Sequence, residues 1–325
     1  MVGAAAELNP AREPRLVFMG TPDFAATALT ALLGANHEVA LVASQPDRPQ
    51  GRGRHLAATP VKKVALAHGL PVVQPESPKN ADFLGQLARI QPDAIITAAY
   101  GRILPPALLA LPPLGCLNIH ASLLPAHRGA APIQWSIIKG DQEVGVSVMR
   151  MDAGLDTGAI LLQKAICPAA DESAATLFVK LAKLGAAALL ETLALLKTGR
   201  LEGKKQDDRL ASWAPLLKKE DGLIDWARPA RELHRLVRGL DPWPTAFSYL
   251  EGKKLQFFVP EVVYQTVRQP PGTVLSADKR GLVIACGENA LLFHEIQAPG
   301  KKRLPTASFL LGQKIAPMSR FTLSP

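Results

Sequence analysis

The sequence predicts an α/β chain of two domains: a mainly parallel sheet covered by helices on both faces, then a small β-barrel. Three observations predict it. The chain has 325 residues, roughly twice the usual length of one domain. Up to about residue 200, apolar strand-like runs alternate with stretches of helical texture, the pattern of a parallel sheet wrapped by helices. After Glu220 the texture changes to short strand-like runs separated by turn residues, the pattern of a small barrel.

Met1 to Pro14 contains Glu7 and Glu13 and no continuous apolar region, so it reads as an N-terminal extension and not a secretion signal. Arg15–Met19 is a first strand ending at Gly20. Thr21 fits a helix cap and Pro22 the first helical position, where a missing N–H costs nothing. The helix runs to Gly34, and His37–Ala43 is the second strand. Val61–His68 is helical, Val72-Val73 is a short extended piece between prolines, and Ala81–Ile90 is helical again. Asp93–Ala99, Cys116–His120 and Val144–Met149 read as buried strands, and Ser173–Lys197 as a long helix capped by Ser173. Thr198–Lys219 is polar, with little periodicity, and reads as a connector. A helix at Ala230–Val237 precedes Asp241-Pro242-Trp243-Pro244. Strands are then expected at Ala246–Leu250, Leu255–Val259, Gly272–Leu275, Gly281–Ala285 and Ala290–Ile296.

Composition narrows the function classes. Hydrophobic residues make up 48% and charged residues 20%, which excludes a mostly disordered chain. The longest apolar stretch, Leu184 to Leu196, carries Glu191 and Thr192, so no membrane span is expected. Cys116, Cys167 and Cys286 lie far apart, which excludes a disulfide scaffold and a cysteine zinc site and suggests a reducing cytoplasm. The net charge is +9, with +4 up to and including Glu220 and +5 beyond it, so the shorter second part is the more basic per residue. Such a field favours polyanions such as nucleic acid, and it serves simple solubility equally well. No broad exposed apolar helix face is evident, so a monomer is the default.

In a parallel sheet, ligands gather beyond the carboxyl ends of the strands. Three segments lie there. Asn118 and His120 are two apart on one strand and share a face, so an amide donor sits beside an imidazole, as a developing oxyanion requires. A satisfied structural pair would read the same. Met151-Asp152-Ala153-Gly154-Leu155-Asp156-Thr157-Gly158 is a turn after a strand, and a carboxylate in it could approach His120 and orient the ring or relay a proton. Gln45 to His55 holds two prolines, two glycines and Arg48, Arg52 and Arg54 against Asp47. It reads as an exposed cationic loop, neither helix nor strand, suited to phosphate contacts or merely solvated. Gly20 to Asp23 (GTPD) could hold an anion but is equally a turn and cap. The absence of GxSxG, GxxxxGK[ST] and HExxH leads us to expect a reaction without covalent enzyme intermediate, ATP or metal.

The blocks FMGTPDFA, QPDRPQGRGR, AAYGRILP, LNIHASLLPAHRGAAPI, MDAGLDTG and DWARPARELHRLVRGLDPWP follow in this order. With them the chain resembles the folate-dependent formyltransferases from about Arg15 to the C-terminal region. SLLP with RGAAPI and LDTG mark the wider family, and QPDRP and DPWP point to the branch that acts on charged initiator tRNA. The resemblance implies transfer of a formyl group from 10-formyltetrahydrofolate to the amino group of methionine on that tRNA. It implies a Rossmann-like catalytic domain over residues 15–200, a linker at 201–220 and an OB-like tRNA-binding domain over 221–325. The family's catalytic trio falls on Asn118, His120 and Asp156. Its folate contacts fall on Ser122, Leu123, Leu124 and Pro125, with Tyr100, Gly101, Ile103, Leu104, Met151 and Asp152 bordering the pterin. Its tRNA-reaching insertion falls on Arg48, Arg52 and Arg54. The chain departs from the family at Ala126 and His127, usually a basic residue and an aromatic one, and at Arg102, usually neutral. A formyltransferase acting on a sugar or ribonucleotide amine is the alternative. It would share the trio but lack the cationic loop and the basic barrel.

Overall fold

The computed structural model describes residues 12–50, 55–199 and 201–325. The chain divides into two compact units. The first takes in the chain up to Pro132, Glu143–Cys167 and Phe178–Ala214, and the second Ile133–Gln142, Pro168–Leu177 and Pro215–Pro325.

In chain order the first elements are β1 (Leu16–Gly20), α1 (Asp23–Gly34), β2 (Val39–Ala43), β3 (Arg48–Gln50), β4 (His55–Ala57), α2 (Pro60–Ala67), β5 (Val72–Val73), α3 (Ala81–Ile90), β6 (Ala94–Ala98), α4 (Pro106–Leu109) and β7 (Cys116–His120). There follow β8 (Arg128–Gly129), α5 (Pro132–Lys139), β9 (Val144–Arg150), β10 (Ile160–Ile166), α6 (Ala174–Lys197) and β11 (Trp213–Ala214). The main sheet has the order β10-β9-β7-β6-β1-β2-β5. Its five strands from β7 to β5 are parallel, β9 runs antiparallel to β7, and β10 antiparallel to β9.

The strand period of two decides which residues reach the site. Val17, Met19, Ile95 and Cys116 face Phe83 and Leu87 of α3 and Leu108 of α4. Ile119 points the other way, against Gly185 of α6, where Phe24 of α1 also meets Phe178 edge-on at 5.8 Å. Asn118 and His120 therefore continue the Cys116 face toward the carboxyl end of β7.

Several expectations are corrected. Residues 45–55 were expected to form neither helix nor strand, but β3 and β4 pair antiparallel with Pro49 opposite Leu56. In a two-stranded ribbon a proline can turn its missing donor away from the ladder, so it does not forbid pairing. Arg52 and Arg54 lie outside the described residues. Thr21 does not cap α1. The N-cap is Pro22, and the Thr21 hydroxyl instead donates to Tyr100 O at 3.3 Å. Ser173 does cap α6, its Oγ accepting from Thr176 N–H at 3.3 Å. Strand β10 and helix α4 were not anticipated.

The second unit carries α7 (Ala230–Gly239), β12 (Ala246–Leu250), β13 (Lys253–Val263), β14 (Val274–Asp278), β15 (Gly281–Ala285), β16 (Ala290–Gln297), β17 (Leu304–Pro305) and α8 (Thr306–Gly312). The antiparallel order is β12-β13-β16-β15-β14, with β17 on β16. The C-terminal segment joins the two edges: Tyr249 and Thr322 exchange both main-chain bonds, and Arg320 pairs with Thr273 beside β14. This closes an OB-like barrel. Its interior is built on Trp226, ringed by Phe257, Phe293 and Phe321 at 5.7, 6.0 and 5.9 Å, with its indole N–H donating to Ser248 Oγ at 3.0 Å. Among the described residues no helix is long and apolar enough to cross a membrane.

Candidate active site

Strand β7 places Asn118 beside Thr97 of β6 and opposite Met149 of β9, and places His120 opposite Ser147. The Thr97 hydroxyl, buried, lies 2.8 Å from Asn118 Oδ1, closer than to its other acceptors, Leu117 O at 3.1 Å and Met151 Sδ at 3.3 Å. This fixes the amide so that its nitrogen is the available donor. Among the described residues that nitrogen has no hydrogen-bond partner. Sequence reasoning missed Thr97, since a threonine in a buried strand carries no functional signal by itself.

His120 is buried, with only 7% of its side chain exposed. Its Nε2 lies 2.9 Å from the main-chain oxygen of His127, and its Nδ1 lies 3.7 Å from Asp156 Oδ2. A carbonyl only accepts, so Nε2 carries a hydrogen and, in the neutral ring, the lone pair is on Nδ1. The ring is thus held by His127 O, while Asp156 stands at ion-pair range, beyond hydrogen-bond distance. His127 has a φ of +59°, which turns its carbonyl to the ring.

The segment between them is locked from below. Ser147 Oγ donates to Ser122 O at 2.7 Å and accepts from Leu124 N–H at 3.0 Å. Gln163 Nε2 donates to Ser147 Oγ at 2.8 Å and to Leu124 O at 3.0 Å. Ser122 Oγ donates to Ala126 O at 2.6 Å, so that hydroxyl is used within the turn. The Leu124–Pro125 peptide is cis.

Asp156 is held by the main chain. Its Oδ2 accepts from Gly129 N–H at 2.9 Å, and its own carbonyl accepts from Gln206 Nε2 at 2.8 Å. Gly129 cannot carry a side chain, since a Cβ there would sit 2.7 Å from Ala214 O of β11. Gln206 also donates to Gly158 O and accepts from the buried Arg128 through Nε and Nη2 at 3.0 and 2.8 Å. Ser212 Oγ accepts from His127 N–H at 2.9 Å. Residues 201–214, read in the sequence as part of a connector, therefore supply two side chains that hold the segments carrying His127 and Asp156. Nothing in that polar, aperiodic stretch marked them.

Asp152, expected to border the pterin, spends its Oδ1 on Gly154 N–H at 3.0 Å and Thr157 Oγ1 at 2.6 Å, and so builds its own loop. Met151 packs against a cluster containing Tyr100 and Leu104 and against another containing Leu124, so three of the expected folate segments meet there. Leu123 and Pro125 are half-buried, while Gly101 and Ile103 are exposed. The Tyr100 hydroxyl is buried and, among the described residues, has no hydrogen-bond partner, and burial pushes its pKa up, partly offset by Arg102. A buried orphan donor beside the exposed Ile103 suits a flat polar heterocycle.

A formyl transferase family model matches residues 14–193, and a model of the formyl transferase C-terminal domain matches residues 216–314. The chain is 56% identical to the methionyl-tRNA formyltransferase of Desulfotalea psychrophila, over 93% of each chain. It is 46% identical to that of Geobacter sulfurreducens, over 94% of this chain and 96% of the relative. In fold it resembles Aquifex aeolicus HypX in complex with tetrahydrofolic acid, with a TM-score of 0.63 and 19% identity over 92% of this chain and 47% of that one. It likewise resembles the sugar 3N-formyl transferase WlaRD, with a TM-score of 0.64 and 16% identity over 90% of this chain and all of that one.

Proposed function

The chain belongs to the formyl transferase family, and from that membership we propose that it transfers the formyl group of 10-formyltetrahydrofolate to the free amino group of initiator methionyl-tRNA. The near full-length likeness to methionyl-tRNA formyltransferases supports this choice of substrate over a sugar or nucleotide amine.

The observation that carries the chemistry is the convergence of an unpartnered amide nitrogen, a buried imidazole and a carboxylate at the end of one strand. The methionyl amine attacks the formyl carbon as the neutral base. A C–N bond forms, the bond to the folate nitrogen breaks, and charge collects transiently on the formyl oxygen. Asn118 Nδ2 and His120, once protonated at Nδ1, donate to that oxyanion. His120 Nδ1 holds the lone pair that receives the ammonium proton, Asp156, 3.7 Å away, assists that transfer and stabilises the imidazolium, and the proton passes to the folate nitrogen as its bond to the formyl carbon breaks.

Ser122, Leu123, Leu124 and Pro125, with Tyr100, Gly101, Ile103, Leu104, Met151 and Asp152, would hold and border the folate. The Tyr100 hydroxyl is the side-chain donor left over for it. We assign residues 15–200 to the catalytic domain, 201–220 to a linker whose first part also braces the site through Gln206 and Ser212, and 221–325 to the tRNA-binding domain, with Arg48, Arg52 and Arg54 reaching the acceptor end.

Incubating the chain with 10-formyltetrahydrofolate and charged initiator tRNA tests this directly. The expected product is N-formylmethionyl-tRNA. Formate release without it would replace the transferase by a hydrolase, and formylation of a sugar amine alone would replace the substrate.

A further inference from the structure

Apart from the trio, the first unit holds a polar network that the reaction does not use. Its centre is Gln45, two residues beyond β2 and 8% exposed. Gln45 Nε2 donates to Tyr100 O at 3.1 Å, and its Oε1 accepts from Arg102 Nε at 3.3 Å. Its main-chain N–H donates to Thr21 Oγ1 at 3.4 Å, and its carbonyl accepts from Gln74 Nε2 at 2.8 Å. Gln74 also donates to Asp47 Oδ1 at 2.7 Å and accepts from Lys62 Nζ at 2.7 Å. Lys62 Nζ closes the ring on Asp47 Oδ2 at 2.6 Å. Asp47 directly precedes Arg48, the first residue of β3.

One unbroken hydrogen-bonded path thus runs from the base of the cationic hairpin, through Gln74 and Gln45, to the loop Tyr100–Leu104. Gln45 is buried and Gln74, Asp47 and Lys62 are half-buried, and hydrogen bonds shielded in this way hold their elements together more firmly than bonds in open water. We propose that Gln45 is a positioning residue that sets the hairpin and the Tyr100–Leu104 loop together, one arm serving tRNA and the other serving folate. This rests on the functional reading above, which gives the hairpin to tRNA and the loop to the pterin. The unusual Arg102 then has a place in the network as the residue that satisfies the Gln45 acceptor.

Three variants of the full chain separate the arms by steady-state kinetics. Gln74→Met cuts the hairpin arm alone and should raise KM for charged tRNA by about fivefold, roughly the worth of one hydrogen bond, with KM for folate within about twofold. Arg102→Met removes one of the two bonds of the loop arm, leaving Gln45 Nε2 on Tyr100 O, and should do the reverse with a smaller rise of about threefold. Gln45→Met removes both side-chain bonds of the loop arm and leaves the main-chain bond to Gln74, so it should raise KM for folate about fivefold with KM for charged tRNA within about twofold. In all three, kcat at saturation should stay within about threefold, because the trio is untouched. A network that only stabilised the fold would not split the two constants. Gln74→Met and Arg102→Met lie at its periphery, so the test stands even where Gln45→Met fails to fold. A wild-type chain that makes no product overturns the functional reading, and this inference with it. A working wild type whose two peripheral variants move both KM values together, or neither, overturns the inference alone.

Discussion

His120 Nε2 lies 2.9 Å from the main-chain oxygen of His127, and that one contact leaves Nδ1 as the nitrogen that can exchange a proton. The contact uses the carbonyl of residue 127 and not its side chain. The departure from the usual residues at Ala126 and His127 therefore leaves the support of the His120 ring intact. Asp156, 3.7 Å from Nδ1, can reach the ring only by its charge at that distance.

Replacing that charge without disturbing the loop isolates its effect. In Asp156→Asn the amide oxygen can still accept from Gly129 N–H, and asparagine tolerates the φ of +54° found here. The thermal midpoint should stay within a few degrees while single-turnover formylation slows by about a hundredfold, the lower range for losing acid–base assistance. A variant formylating at nearly the wild-type rate would remove Asp156 from the chemistry.

Thr97 acts through Asn118, and a double-mutant cycle can show it. Asn118→Ala should cost about a hundredfold in kcat, as for loss of one preorganised oxyanion donor. Thr97→Val keeps the shape, leaves Asn118 Oδ1 without its 2.8 Å partner and should slow turnover about three- to tenfold. The double variant should be no slower than Asn118→Ala alone. Additive losses would mean that Thr97 works independently of the amide.

What the sequence made legible follows from where information lies in side-chain patterns. Cys116–His120 was read with its observed bounds, because its apolar residues end at a serine turn, and that strand already placed Asn118 and His120 on one face. Strand β10 was missed because ILLQKAI opens with two buried residues in a row, Ile160 and Leu161, which blurs the period of two. The cap at Thr21 failed because a tertiary partner, Tyr100 O, claims its hydroxyl. The hold on His120 could not have been read at all, since it comes from a main-chain carbonyl. Gln206 and Ser212 sit in an aperiodic segment and gain their roles only once β8 and the Asp156 loop are brought together.

The second unit should lose stability in mild acid through His234. Burial, then the Arg238 guanidinium, push its pKa from 6.5 down to about 4, with the Pro260 main chain opposing, Arg235 adding a smaller push down and Asp171 a smaller one up. The folded state thus resists protonating this ring, while the unfolded chain takes the proton near 6.5. The stabilisation is complete above pH 6.5 and is lost as pH falls toward about 4. Its size is about 3 kcal/mol at most, and about half that after solvent screening of a ring only partly buried. Urea titrations at pH 7, 5.5 and 4.5 should show the fall, and His234→Leu should flatten it. An unchanged slope in the variant would assign the acid sensitivity elsewhere.

The cationic hairpin should announce itself in salt. Asp47 is the acidic residue beside its arginines, and the Lys62 ammonium at 2.6 Å already offsets that charge, so Asp47 does little to cancel Arg48. Arg52 and Arg54, outside the described residues, add to the same sign. If these side chains contact tRNA phosphates, binding should weaken steeply as salt rises. Each phosphate contact removed should lower the slope of log affinity against log salt by about 0.7 to 0.9. Arg48→Ala should therefore weaken binding most at low salt and flatten the line by about one contact, and the triple alanine variant by two to three. KM for folate should remain within about twofold throughout. Asp47→Asn should leave the slope unchanged, because its charge is already offset, although it disturbs the ring of bonds with Gln74. Titrations of charged initiator tRNA between about 50 and 300 mM potassium chloride measure all of this. Parallel lines for wild type and the triple variant would show that the hairpin arginines touch no phosphate, and would leave the basic second domain as the source of the electrostatic affinity.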